Sequence, residues 1–501
     1  MPPESTPWLL SRRHAIGLAA GAIATGLARP GWAQTSDTPS ADRFPALTLQ
    51  IGSPPPGAPP AFDLRQDFGA AGDGSADDGI ALRQLAAAVN SGQVPANSLV
   101  RIPAGQYRVL GNETIVFRRP IVLRGDGPGQ TILMPEYTQQ RLLFLRALGD
   151  GMYTQHSSSL FSGRQADNRY PNAPYSDVAG TPARGTRTVA VANPAQFNPG
   201  DHVYLLCDDY GPEIVYSAGN SRREHYLLKQ NARVASADGD QITLDTALRD
   251  DFLGAAPRLY RWRPMVGFGI EHLTIQDRSR IDDSEDANTF RALQLDGTTA
   301  SWVWDVHFLD NTSIPLAIAR SRKTVVRECL FDGARHVGGG GNGYLPEIYL
   351  SDDCLVEYCT SIRGRHALIC NWSCWGNVFR YNRLDGTPNT ETHGEYNVEN
   401  LYYRNDARGS RMEIGGGGDR VHGHDGPYNE LRQNYAGVLR VIRQADRANR
   451  LIGNWYGDPI VDAGGGTVVE GNQQVPRGWA DYPYATYCGH DHTQTDTSGA
   501  T

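Results

Sequence analysis

Lysine is almost missing from this chain. Lys229 and Lys323 are the only two, and the rest of the positive charge is arginine. With a net charge of −8 and a pI near 5.9, the chain is not the kind that binds nucleic acid by neutralising phosphates. Cysteine is scarce and odd in number, at seven, so it gives no closed disulfide framework; an oxidising compartment would permit a Cys370–Cys374 pair. Paired C-x-x-C motifs are absent, which removes the usual zinc sites. No apolar run after residue 33 is long enough to span a bilayer. Also missing, from Trp302 to Asn472, is a continuous periodic stretch long enough for a helix within any one unit.

What fills that space is a repeat. Cys354-Leu-Val-Glu-Tyr-Cys359, Asn377-Val-Phe-Arg-Tyr-Asn382 and Asn400-Leu-Tyr-Tyr-Arg-Asn405 share one frame. Asn429-Glu-Leu-Arg-Gln-Asn434, Asn449-Arg-Leu-Ile-Gly-Asn454 and Thr467-Val-Val-Glu-Gly-Asn472 continue it, and Thr324 to Cys329 and Trp302 to His307 precede it. From His307 the closing position recurs after 22, 30, 23, 23, 29, 20 and 18 residues. Each unit is a short β-branched or aromatic run closed by Asn or Cys, with glycine-rich punctuation between. Coils of roughly 20 residues can stack as parallel sheets about 4.8 Å apart, with the closing Asn side chains hydrogen-bonding up the stack. Asn also tolerates the left-handed backbone of tight corners. A leucine-rich repeat would need regular Leu spacing, and a propeller blade about twice the unit length. The 56 glycines and 31 prolines agree with a turn-dense chain. The predicted fold is all-β: a right-handed single-stranded parallel β-helix with an N-terminal capping helix and a β-rich insertion.

In chain order, Ser11-Arg12-Arg13-His14, an apolar stretch to Leu27 and Gly31-Trp32-Ala33 read as a twin-arginine signal peptide over 1–33. That predicts use of the twin-arginine translocation machinery and a periplasmic or secreted mature protein beginning near Gln34. Residues 34–60, rich in Pro, Ser and Thr, read as a linker. The β-helix domain is expected over 62–477, with 138–262, where the coil rhythm breaks, as a β-rich insertion. Residues 478–501 read as a polar tail.

One segment carries a family resemblance. The run Asp67-Phe-Gly-Ala-Ala-Gly72-Asp-Gly74-Ser-Ala-Asp77-Asp78, followed by Ile102-Pro-Ala-Gly105-Gln-Tyr107, resembles the N-terminal segment of the pectate-lyase-like superfamily. That group includes rhamnogalacturonase, epimerase and phage tailspike-type β-helices. Gly79 departs from the pattern, which has Thr there. The resemblance covers 62 to about 135 and implies a right-handed β-helix with saccharide chemistry. Asp77 and Asp78 read as helix caps.

Stacked coils set residues from successive repeats in rows, so a site should appear as matched positions. His, Arg and carboxylates are densest between residues 347 and 443. Elimination at a uronic acid needs cations for the substrate carboxylate, a base for the C5 proton and an acid for the leaving oxygen. His366 or His393 is the expected base, Tyr349 the acid, with Arg365 and Glu347 beside them. Arg363, Glu395, Arg411, Glu413, His424 and Arg440 are the expected substrate-binding residues. Hydrolysis would instead draw two carboxylates from Glu347, Asp352, Asp353, Glu391, Glu395 and Glu413. Ser351-Asp-Asp-Cys354 and Thr392-His-Gly394 resemble parts of the polygalacturonase pattern, whose Asn-Thr-Asp and Arg-Ile-Lys elements are absent; Asp352 and Asp353 read as turn residues. No metal or other cofactor is expected, and nothing specific favours Ca²⁺. The expected partner is an acidic polysaccharide, cleaved by a lyase; a glycoside hydrolase, an epimerase and a non-catalytic saccharide-binding β-helix are the alternatives.

Overall fold

The computed structural model describes residues 38–55, 57–138, 143–149, 175–207, 228–252, 257–279, 291–338, 341–393, 396–416, 425–441, 449–462 and 467–475. The signal-peptide segment, the tail, Glu395 and His424 lie outside them.

Short strands pair only with the strands one coil before and after, giving a 29-stranded parallel array. This is the right-handed parallel β-helix. One face is set by the repeat itself: Val325–Arg327, Leu355–Glu357, Val378–Arg380, Leu401–Tyr403, Glu430–Arg432 and Arg450–Ile452 follow each other in register. Alternation turns Val326, Val356, Phe379, Tyr402, Leu431 and Leu451 into the core. The rings of Phe379 and Tyr402 stack there at 4.6 Å.

Asparagines border this face on both sides as two ladders. Asn382, Asn405, Asn434 and Asn454 each give a backbone and a side-chain N–H to the Oδ1 of the next, at 2.8–3.0 Å, ending on Asn472. Asn377, Asn400 and Asn429 form the second ladder. Cys354 and Cys359 begin the two columns by donating their backbone N–H to Asn377 and Asn382. The left-handed corners fall one residue earlier than the sequence suggested: Tyr381, Arg404, Gln433 and Gly453 have φ of 57, 53, 52 and 59°, and the asparagines do not. Asparagine is there for its amide, which bonds upward and downward at once.

The segment read as a linker is packed. Phe44 and Ala46 are fully buried, and with Leu47, Leu49 and Ile51 they cover outward-facing Val325, Leu355, Val378 and Leu401. Arg43 anchors one end on Glu399 and Glu430 at 2.9 and 2.8 Å, and Ala61 bonds Leu99 at the other. Its Pro and Ser content masked an apolar alternation that an otherwise bare sheet face requires.

Helices α1 (Leu64–Phe68) and α2 (Gly79–Ser91) close the N-terminal end. Asp78 stands at the N-cap of α2 without a side-chain capping bond; it instead accepts the N–H groups of Ala71 and Gly72, while Asp77 accepts that of Gly79. Asp78 thus holds the glycine turn, and Asp77 ties the start of α2 to the N–H of Leu110.

Within 138–262, Leu143–Leu148 belongs to the parallel stack, and a separate six-stranded antiparallel sheet runs from Tyr175 to Trp262. Both lysines of the chain serve its junction with the coils. Lys229 meets Asp352 at 2.6 Å, with both side chains buried, and Lys323 meets Asp245 at 2.9 Å. Asp353 is held between Arg249 and Arg322. Asp352 and Asp353 are thus ion-paired structural residues.

Candidate active site

The site is built on a second face of the coils. Its strands are β1 (Leu143–Leu148), β2 (Arg291–Asp296), β3 (Ile314–Ala319), β4 (Tyr344–Tyr349), β5 (His366–Asn371), β6 (Asn389–His393), β7 (Asp406–Gly416) and β8 (Tyr435–Val441). They pair in parallel from β1 to β8. Leu345, Ala367, Met412 and Leu439 share one register position and point into the core. The neighbouring position, Tyr344–His366–Asn389–Arg411, therefore points outward.

The ladder of β6 slips between Ala367 and Cys370 of β5, where Leu368 has φ of 50°, and beyond Glu413 of β7, where Gly415 has φ of 82°. Such bulges re-aim side chains. Before the slips the regular register sets Asn389 against His366 and Glu391 against Glu413; beyond them His393 stands opposite Asn371 and Gly416.

Asn389 organises the group. Its Oδ1 accepts from His366 Nδ1 at 2.7 Å, and its Nδ2 donates to Glu391 at 2.9 Å and to Glu413 at 2.6 Å. An amide oxygen can only accept, so His366 carries its proton on Nδ1 and its Nε2 is the basic nitrogen. That Nε2 is buried without a hydrogen-bond partner, 3.6 Å from Glu391. Burial lowers the His366 pKa to about 4, so the ring is neutral at physiological pH. His393 Nδ1 donates to Glu391, the relation that orients an imidazole for base chemistry. The ring of Tyr344 lies 5.2 Å from His366 and 5.9 Å from His393. Burial raises its phenol, which stays protonated.

Glu391 and Glu413 face each other as register partners on adjacent coils, and each affects the other's ionisation. Burial opposes ionisation of both. For Glu391 the hydrogen bond from His393 outweighs burial and holds it low. For Glu413, burial and the adjacent Glu391 prevail over Arg411 and raise it to about 7. Beneath β6, Thr392 donates to buried Asp425, whose pKa burial raises to about 7.

The expected residues are partly gathered here. His366, His393, Arg411 and Glu413 belong to one network, and Arg440 reaches Glu413 at 3.6 Å. Arg365 stands over the Tyr344 ring at 6.0 Å. Glu347 is held by Asn371 at 2.7 Å and Arg291 at 3.2 Å, one coil before His366. Tyr349 shares a register position with Asn371 and His393 and lies two coils from the latter, so Tyr344 is the phenol beside the imidazoles. Arg363 is a corner residue paired with Asp332 and joins no part of the network. Asn389 and Tyr344 were missed, and Glu391 stood only in the hydrolase pool. The alternation Asn389-x-Glu391-x-His393 was the available signal, since a strand turns all three to one side.

A coiled parallel array with a cluster of His, Glu and Asn side chains on one face defines a parallel β-helix protein. Comparison with known proteins places its N-terminal part: residues 65–165 match the family model described as rhamnogalacturonase A/epimerase, pectate lyase-like. Mannuronan C5-epimerases AlgE1 and AlgE3 of Azotobacter vinelandii are 35% identical over 79 residues and 34% identical over 73. Those matches cover 15% and 14% of this chain and only 5% and 4% of the relatives' own length. Among solved structures, the tailspike gp61 of Pseudomonas phage phi297 has a TM-score of 0.48 at 12% identity, covering 82% of this chain and 80% of that one. Tailspike gp49 of Pseudomonas phage LKA1 has a TM-score of 0.48 at 15% identity, covering 83% and 77%.

Proposed function

We propose that this chain is an exported carbohydrate-active enzyme that removes the C5 proton of a uronic acid residue in an acidic polysaccharide, with β-elimination as the outcome. The observation that carries this reading is the neutral, buried His366 with an unpartnered Nε2, set beside Glu391, His393 and a protonated Tyr344. His366 or His393 takes the C5 proton; the electron pair forms the C4–C5 double bond; the C4–O bond breaks, and its oxygen takes a proton from Tyr344. Arg365, over the Tyr344 ring, supplies positive charge for the carboxylate of the reacting residue.

Hydrolysis is less well supported by this geometry. Flanking carboxyls need about 5–9.5 Å between them, whereas Glu391 and Glu413 are direct partners on adjacent strands and are bridged by one Asn389 amide. Epimerisation is the second reading: it uses the same proton removal with reprotonation from the other face, and the matched family model and the mannuronan relatives are named for it. The test is to incubate the mature protein with a panel of acidic polysaccharides in D₂O. Lyase action gives the ultraviolet absorbance of a double bond conjugated to the carboxylate. Epimerisation puts deuterium at C5 without that absorbance. New reducing ends with neither signal would overturn both readings.

A further inference from the structure

Beyond the proton-transfer cluster the groove carries an unbalanced group of charges. Arg411 reaches Glu413 through Nε at 2.6 Å and through Nη2 at 3.3 Å, and Arg440 reaches the same carboxyl from the next coil at 3.6 Å. Two guanidinium groups therefore share one acid. Glu413 is buried, while both arginine side chains are 36% exposed. Glu413 is also claimed from the other side. Asn389 donates to it, and Glu391, which is backed by His393 and His366, is its register partner on the adjacent coil. Burial, with Glu391 beside it, raises the Glu413 pKa to about 7, so the acid beneath Arg411 and Arg440 is protonated below that pH.

We propose that Arg411 and Arg440 form a subsite for an acidic group of the polysaccharide, and that Glu413 is its internal anion, exchanged for the substrate's own when the groove fills. The subsite lies one to two coils past Asn389, about 5–10 Å along the stack, so it takes a sugar next to the one that reacts. This rests on the C5-proton reading for the identity of the reacting residue. A carboxylate and a sulfate ester share the required chemistry. Binding falls as pH rises, because ionised Glu413 competes for both arginines and Glu391 disfavours that ionisation only up to a point.

The test measures equilibrium binding by the mature His366→Ala protein of a polyuronate, a sulfated galactan and a neutral glucan between about pH 6 and about pH 8. Arg440→Gln is expected to weaken acidic-polymer binding about tenfold and leave the neutral polymer unchanged. Glu413→Gln is expected to abolish the loss of affinity with pH, which in the parent approaches about tenfold per unit above the midpoint. Arg411→Gln is the second variant if Arg440→Gln fails to fold by circular dichroism. Unchanged binding in the arginine variants, or an unaltered pH dependence in Glu413→Gln, overturns the subsite. A polyuronate preference over the galactan assigns a carboxylate, and the reverse a sulfate. If the subsite signature appears while the wild-type protein turns over nothing, the C5-proton reading fails alone. If turnover occurs without the signature, the subsite fails alone. If no acidic polymer binds, both fail.

Discussion

His366 gives its Nδ1 hydrogen to the side-chain oxygen of Asn389 at 2.7 Å, and this one bond fixes which imidazole nitrogen is basic. The amide then has two hydrogens left, and both are spent on Glu391 and Glu413. Asn389→Ala is expected to leave the coil intact, since Asn389 stands outside both asparagine ladders, yet to lower turnover about a hundredfold. Asn389→Asp is expected to shift the pH profile as well, by placing a third carboxyl among the first two. Wild-type kinetics in either variant would remove Asn389 from the network.

The proposed base assignment predicts the acid limb of activity. Its pKa is lowered by burial from 6.5 to about 4, so the basic form persists through mildly acidic pH. If His366 is the base, kcat/KM falls off near pH 4 and is flat through 6.5, and His366→Ala costs about 10²–10⁴-fold. A break at 6.5 would point to a solvated imidazole. Activity surviving the loss of both His366 and His393 would sink the base assignment.

Asp425 makes stability depend on pH. Its pKa is raised by burial from 3.8 to about 7, so the folded chain holds a proton that the unfolded chain releases. The stabilisation is complete below about 3.8 and is lost as pH rises through about 7. Asp425→Asn is therefore expected to be more stable than the wild type at pH 8, but not at pH 4, in thermal melts. A constant difference between the two proteins across that range would show that Asp425 does not titrate as described.

The ladders predict a gradient of damage. Asn405 accepts from Asn382 and donates to Asn434 and to the carbonyl of Phe379, all inside the core. Asn405→Ala leaves several buried groups without partners and is expected to cost about 3 kcal/mol. Asn472, at the half-buried end, should cost under about 1 kcal/mol. Denaturant unfolding of the two variants measures the difference; equal costs would mean the ladder is not cooperative.

The coil was legible because a stack repeats its local rules. Tyr381-Asn382 and Arg404-Asn405 show the same corner and the same closing amide, so even unaligned they announce one architecture. The site was legible only in part. His366 and His393 stood out as rare residue types, but the register that sets Glu391 against Glu413 and Asn389 against His366 carries no chemical label in the sequence. Arg363 and Arg365 looked equivalent two residues apart; the corner at Arg363 turns it to Asp332, while Arg365 faces Tyr344. The strap over 43–61 was hidden by composition, because Phe44, Ala46 and Leu49 acquire meaning only against Leu355, Val378 and Leu401, some 300 residues away.

The sequence by itself determined that short strands would be closed by asparagine and stacked in parallel, since that outcome needs only local backbone preference and an amide that bonds along the axis. Tertiary structure alone decided which outward residues meet. Side chains on different coils become neighbours through register, and register at β6 sets Asn389 beside His366 and Arg411, and Glu391 beside Glu413.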